Sequence, residues 1–257
     1  MFETIKYEAQ DRVATITFNR PEVRNAFNWK MVEELFAVFK EMNKSGDIRV
    51  VVLTGEGTCF CAGADLNWMK DVMTKSFEFN YKESLRLAEL FYLIYSLPKP
   101  VVGRINGPAI GGGTGFVSVC DIAVASTKAK FSFSEVRIGL VPSDISPFML
   151  RKCGEGSIRE YFLTGRRLNA EDALRIGLVN KVVEEEQLDT ETQRIVNELL
   201  KGSPNALRVC KDLLEKVPLQ PFDKVREFTA ETLANLRKSK EAQEGMEAFL
   251  EKRKPEW

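Results

Sequence analysis

Histidine is absent from all 257 residues, and no other feature of the composition excludes as much. Neither a Ser-His-Asp nor a Cys-His site can be assembled, a His-ligated metal site is ruled out, and the commonest general base near neutral pH is missing. Acid–base chemistry must fall to a carboxylate, a lysine, a tyrosine or a thiol. Net charge is lacking too: 37 Lys+Arg face 37 Asp+Glu, so no basic excess points to a nucleic-acid partner. No run of about 18 uncharged apolar residues occurs, so neither a transmembrane helix nor a membrane partner is expected. Met1-Phe2-Glu3-Thr4-Ile5 leads directly into alternating residues, without the basic and apolar regions of a secretory signal. Cys59, Cys61, Cys120, Cys153 and Cys210 are odd in number and scattered through apolar surroundings, unlike a secreted disulfide framework; reduced thiols in the cytoplasm are expected. With no histidine and no second Cys pair, Cys59-x-Cys61 reads as structural thiols and no metal site is expected.

What is present suits an ordinary globular chain. Apolar residues make up 44% and aromatics 10%, enough for a sizeable core in one or two domains. Alternating runs at Thr4–Ala9 and Arg12–Asn19 flank Gln10-Asp11 and predict a hairpin. Met31, Val32, Leu35, Phe36, Val38, Phe39 and Met42 recur at helical spacing within Asn28–Lys44. A buried strand at Val50–Leu53 follows, then a helix over about Phe79–Ser96, stopped by Pro98 and Pro100, and a strand at Val101–Ile105. After an apolar helix, further strands are expected near Ile122–Ala125 and Lys130–Ser132. This recurrence of strand, helix, strand implies an α/β fold with parallel strands. Beyond about Gln187 only helices are expected, over Thr190–Lys201, Pro204–Lys216, Pro221–Arg237 and Lys240–Lys252. The division is thus a core of residues 1–190 and a helical region of residues 191–257, whose apolar stripe must pack on the core or on another subunit.

Two clusters carry chemistry. Gly107 to Gly115 follows a buried strand and opens a helix, where unpartnered N–H groups can hold an anion or a developing oxyanion; a tight turn needing positive φ is the other reading. A P-loop is excluded because no Lys-Ser/Thr follows the glycines, and a dinucleotide fingerprint fits poorly. Cys59-Phe60-Cys61-Ala62-Gly63-Ala64-Asp65-Leu66 lies after the Val50 strand, with small residues that admit a ligand close to the backbone. Two such loops, one N–H from each, are what an oxyanion hole requires.

The segment Phe60 to Leu66, then Pro98-Lys99-Pro100-Val101, Ile105 to Gly113, Cys120-Asp121-Ile122-Ala123, Phe131 to Leu140, Leu163-Thr164-Gly165, and Glu171, Ala173 and Gly177-Leu178-Val179 resemble, in order and spacing, the enoyl-CoA hydratase/isomerase (crotonase) superfamily. Glu244 to Arg253 resembles its last helix. The resemblance spans nearly the whole chain. It implies a spiral of ββα units with a C-terminal helical trimerisation region, a homotrimer or homohexamer, and an acyl-CoA substrate in fatty-acid or amino-acid catabolism. It implies no separate cofactor, coenzyme A being part of the substrate. Carried over by position, Ala62 and Gly112 are the expected oxyanion donors, and Ala62, Gly63, Ala64, Asp65 and Leu66 line the thioester path. Arg24 resembles the family's basic contact to the CoA phosphates, with Phe249 and Lys252 expected at the nucleotide portion; for Arg24 and Lys252 an ordinary surface charge is the alternative.

Hydratases of this family usually carry one Glu two residues after the glycine triplet and another in a later Phe-x-x-x-Glu segment. Here the first position is Gly115 and the second is Glu135. One carboxylate supports hydration of a 2-enoyl-CoA with weaker water activation, or isomerisation of the double bond by proton transfer between C2 and C4. A catalytically silent acyl-CoA binder is the third reading. Asp144 is a backup acid near the site. Ser134 to Pro142 and Ile145-Ser146-Pro147-Phe148, with Arg104-Ile105-Asn106-Gly107, are similar to bacterial 3-methylglutaconyl-CoA hydratases, which implies hydration of a branched or glutaconyl-type chain; an ordinary strand-end charge is the other reading of Arg104.

Overall fold

A computed structural model describes residues 2–257. The chain opens with strands β1 (Ile5–Gln10) and β2 (Val13–Phe18), joined as an antiparallel hairpin in which Gln10 pairs with Val13. Asp11 and Arg12 both take positive φ, the geometry a two-residue hairpin turn demands. Helix α1 (Trp29–Lys44) is capped by Asn28, whose side chain accepts from the Met31 amide at 3.0 Å, and it buries the predicted apolar stripe. Strand β3 (Val50–Gly55) is buried along its whole length, as a strand covered on both faces must be.

Helices α2 (Leu66–Val72) and α3 (Phe77–Tyr95) follow. The short α2 was not expected, and α3 starts two residues before the predicted helix because the Ser76 hydroxyl caps it through the Phe79 amide at 3.3 Å. Then come β4 (Val101–Ile105), β5 (Ala109–Ile110), α4 (Gly112–Ser118), β6 (Ile122–Ser126) and β7 (Lys130–Ser132). A 3-10 turn at Ser134–Ile138 precedes α5 (Ser146–Cys153), α6 (Glu155–Thr164), β8 (Arg167–Asn169), α7 (Ala170–Arg175) and β9 (Lys181–Val183). The chain ends in α8 (Leu188–Leu200), α9 (Pro204–Lys216), α10 (Phe222–Arg237) and α11 (Lys240–Glu251).

One six-stranded sheet has the order β1-β2-β3-β4-β6-β9, parallel beyond the hairpin, and a second joins β5, β7 and β8. The strand–helix alternation read from the sequence is therefore the fold. The main core fills one face of the large sheet, centred on Phe18, Phe39, Phe60, Phe91 and Phe116. The other face is closed by α8, where Val196 meets Val50, Val52 and Val102. No helix among the described residues is long and apolar enough to cross a membrane.

Candidate active site

The loops after β3 and β4 meet because backbone bonds tie them together. The amides of Phe60 and Cys61 both donate to the Pro108 carbonyl at 3.1 Å, and the Ile110 amide donates to the Cys61 carbonyl at 3.0 Å. Asn106 clamps the same junction, its side-chain amide donating to the carbonyls of Gly55 and Gly57 at 2.9 and 2.7 Å. The approach is close enough to demand glycine: a Cβ at Gly113 would lie 2.2 Å from the Cys61 carbonyl oxygen. On its other side the first loop bonds to Phe27, whose amide donates to the Gly63 carbonyl at 2.8 Å and whose carbonyl accepts from the Asp65 amide at 2.9 Å. Gly63 accommodates this with φ of +96°.

This pairing corrects the expected donor. The Ala62 amide is engaged by the Arg24 carbonyl at 3.0 Å, so it cannot serve a ligand. Ala64 sits between the Gly63 and Asp65 groups that bond to Phe27, so its own N–H turns the other way. Among the described residues it donates to no protein acceptor. Gly112, the first residue of α4, likewise has no acceptor, as expected for a helix start. Two amides without an acceptor, those of Ala64 and Gly112, thus line the cavity, one from each loop.

Glu135 stands beside them. It lies on the 3-10 turn, and a Cβ on Gly111 would be 3.2 Å from its Oε1, so the carboxyl covers the residue just before Gly112. Its Oε2 is buried with no hydrogen-bond partner. Burial pushes its pKa above the ordinary carboxylate range, against the pull of a backbone hydrogen bond. Asp144 lines the same cavity, and burial raises its pKa as well, opposed by the Ser143 hydroxyl. The cavity, 330 Å³ in volume, holds a third carboxyl, Glu83, and no lysine or arginine. Phe27, Trp68, Met69, Leu87 and Ile138 make most of the wall apolar.

Other expected residues fall outside it. Asp65 does not line the cavity: its carboxylate pairs with Arg20 at 2.8 Å and caps α2 through the Asn67 amide at 2.8 Å. Burial raises its pKa, but Arg20 and that amide outweigh burial and hold it below the usual range. Gly115 is buried within α4, packed against Phe91 and Ile145. Arg24 is exposed, as are Phe249 and Lys252 at the end of α11, and none of the three lines the cavity. Gly63, Ala64 and Leu66 do line it, and so does Ala62 despite its engaged amide. Arg104 pairs with Asp189 at 2.5 Å on the sheet face that α8 covers. Burial pushes the thiols of Cys61 and Cys120 up to about 12, so neither is a nucleophile at neutral pH.

Glu83 was missed by the sequence reading. It stands four residues before Leu87 and eight before Phe91, in register with the buried stripe of α3, and an acid on such a stripe is the signal that would have exposed it.

These two clamped loops, with a free amide on each and a buried carboxyl beside them, have the donor arrangement that an oxyanion hole requires. A model of the enoyl-CoA hydratase/isomerase family matches residues 8–257, and the chain belongs to that family. A short-chain-enoyl-CoA hydratase of Clostridium acetobutylicum is 34% identical over 251 residues, covering 97% of this chain and 95% of that protein. Among solved structures, an enoyl-CoA hydratase from Shewanella pealeana superposes with a TM-score of 0.96 at 33% identity, over 100% of this chain and 96% of the other. One from Mycobacterium smegmatis gives 0.93 at 33% identity, over 99% of each. The crotonase architecture is thereby established.

Proposed function

We propose that the protein adds water across the C2=C3 double bond of a 2-enoyl-CoA thioester. The observation that carries this reading is the unpartnered, buried Oε2 of Glu135 next to the free Gly112 amide. The amides of Ala64 and Gly112 hold the thioester oxygen. As the water oxygen bonds to C3, the double-bond electrons move toward C2 and the carbonyl, and the enolate oxygen takes up the charge. Loss of one such donor typically costs about 3 kcal/mol. Glu135, as the carboxylic acid its burial favours, gives its proton to C2 and regains one from the water. Asp144, which lines the same cavity, orients that water.

A second reading, double-bond isomerisation, rests on Gly115, where no side chain exists to activate water; Glu135 as a carboxylate then moves a proton between C4 and C2. A glutaconyl-type chain is less favoured, because no cation lines the cavity and Arg104 is held elsewhere by Asp189. Arg24, Phe249 and Lys252 are assigned to the CoA moiety as exposed contacts. Assembly as a homotrimer or homohexamer is supported by the exposed Leu214, Leu219, Phe222, Phe249 and Leu250 of the helical tail, and a cytoplasmic setting by five unpaired thiols.

Crotonyl-CoA decides between these readings. Loss of the enoyl-thioester ultraviolet band with a product heavier by one water supports hydration. For 3-enoyl-CoA, conversion at constant mass supports isomerisation. If CoA esters bind and neither change occurs, the protein is a silent binder.

A further inference from the structure

Glu83 lines the same cavity as the free amides and has no part in the proton transfers proposed above. Its Oε1 accepts a hydrogen bond from the indole N–H of Trp68. Trp68 in turn packs edge-on against Phe27, ring centroids 5.5 Å apart, and Phe27 lies directly against Gly112, where an added Cβ would be 2.6 Å from its Cζ. These contacts run along the cavity wall from Gly112 through Phe27 and Trp68 to Glu83, away from the carbonyl end. Helix geometry agrees: Phe91, eight residues along α3, packs beneath α4 at Gly115, and eight residues span about 12 Å of helix. Glu83 is thus set at the distal part of the acyl pocket.

No cation is paired with it. Glu83 makes no ion pair among the described residues, the nearby Arg86 being turned to Glu33 at 2.9 Å and stacked on Phe36, while Asp71 adds negative charge from α2. Glu83 Oε2 has no hydrogen-bond donor from the protein. A pocket with an acceptor oxygen at its far end and no cation repels a second carboxylate and accommodates a neutral donor.

Resting on the acyl-CoA reading of the site, we propose that Glu83, fixed by Trp68, is its specificity-determining residue: it rejects acyl chains that end in a carboxylate and favours neutral chains that end in a hydrogen-bond donor such as a hydroxyl.

Saturated thioesters test this without turnover. Hexanoyl-CoA, 6-hydroxyhexanoyl-CoA and adipyl-CoA have the same chain length and differ at the last carbon, and their Kd values are measured by calorimetry. The wild type is expected to bind adipyl-CoA about tenfold or more weakly than hexanoyl-CoA, the size of one like-charge contact in a partly solvated pocket. The hydroxy ester should bind at least as tightly as hexanoyl-CoA. Glu83→Gln, which keeps an acceptor for Trp68, should bring the adipyl-to-hexanoyl ratio to within about threefold of unity, and Glu83→Lys should invert it. A loose structural role would weaken all three esters together and leave the ratio unmoved, so an unchanged ratio in Glu83→Gln overturns the proposal. If the esters bind but crotonyl-CoA is not hydrated, the proposed reaction fails while the ratio still decides the role of Glu83; if no CoA ester binds, both fall.

Discussion

A Cβ on Gly115 would lie 2.3 Å from Cγ2 of Ile145 and 2.9 Å from Cζ of Phe91. The position where hydratases of this family usually carry a glutamate is therefore filled by two neighbouring side chains, and restoring the glutamate alone cannot restore its function. Gly115→Glu is expected to lower the melting temperature and the soluble yield, with overpacking of this kind costing roughly 1–3 kcal/mol or more, and to bring no gain in crotonyl-CoA turnover. Combined with Phe91→Leu and Ile145→Ala, the glutamate gains room. A rise in turnover in the triple variant over the Phe91→Leu/Ile145→Ala background, with none in the single, is the expected pattern; a more active single variant would refute the packing account.

Ala62 and Ala64 differ in where their amides point, and replacing each residue by lactate, which exchanges only the N–H for an ester oxygen, separates them. At position 64 the proposed oxyanion donor is deleted, and kcat should fall about 100-fold with the fold intact. At position 62 the lost bond to the Arg24 carbonyl should cost about 1 kcal/mol of stability and little activity. The reverse result would return the donor role to Ala62.

Much of this was legible beforehand. The apolar period of α1, the continuous apolar run of β3 and the order of the glycine-rich segments identified the α/β fold, and the two loops and Glu135 converge as expected. What escaped reading were features that depend on which way a backbone group or side chain turns. Ala62 and Ala64 are the same residue two positions apart, and only the pairing of Gly63 and Asp65 with Phe27 reveals which N–H is free. Asp65 looked like a cavity residue until Arg20 proved to hold it. Helices as short as α2 have too few turns to show a period.

The two enzymatic readings have opposite pH dependence. Burial raises the pKa of Glu135, so its acid form persists above the usual carboxylate range. Hydration begins from that form, and kcat/KM should hold on the acid side and fall as pH rises through the raised value. Isomerisation begins from the carboxylate, and kcat/KM should climb through the same window. Glu135→Gln should reduce either activity by at least about 100-fold while acyl-CoA binding persists. Retained turnover in that variant would remove Glu135 from the mechanism.

Glu83, Glu135 and Asp144 all have pKa values raised by burial, and together they give the fold a pH dependence of definite sign. A carboxyl whose folded-state pKa exceeds its unfolded value binds more protons folded than unfolded, so its contribution is most favourable below the unfolded pKa. Stability is lost as pH rises from there through the folded value. Above the unfolded carboxylate range these groups therefore weigh against the fold, because the unfolded chain ionises them more readily, and Glu135→Gln, which cannot ionise, should melt higher than the wild type. In a chain of this length each kcal/mol gained appears as about 2–4 °C. The gap should narrow as pH falls through and below the unfolded carboxylate value near 4, where the wild-type side chain becomes neutral in both states. A melting-temperature difference independent of pH would mean that the variant acts by packing, and not by removing a strained charge.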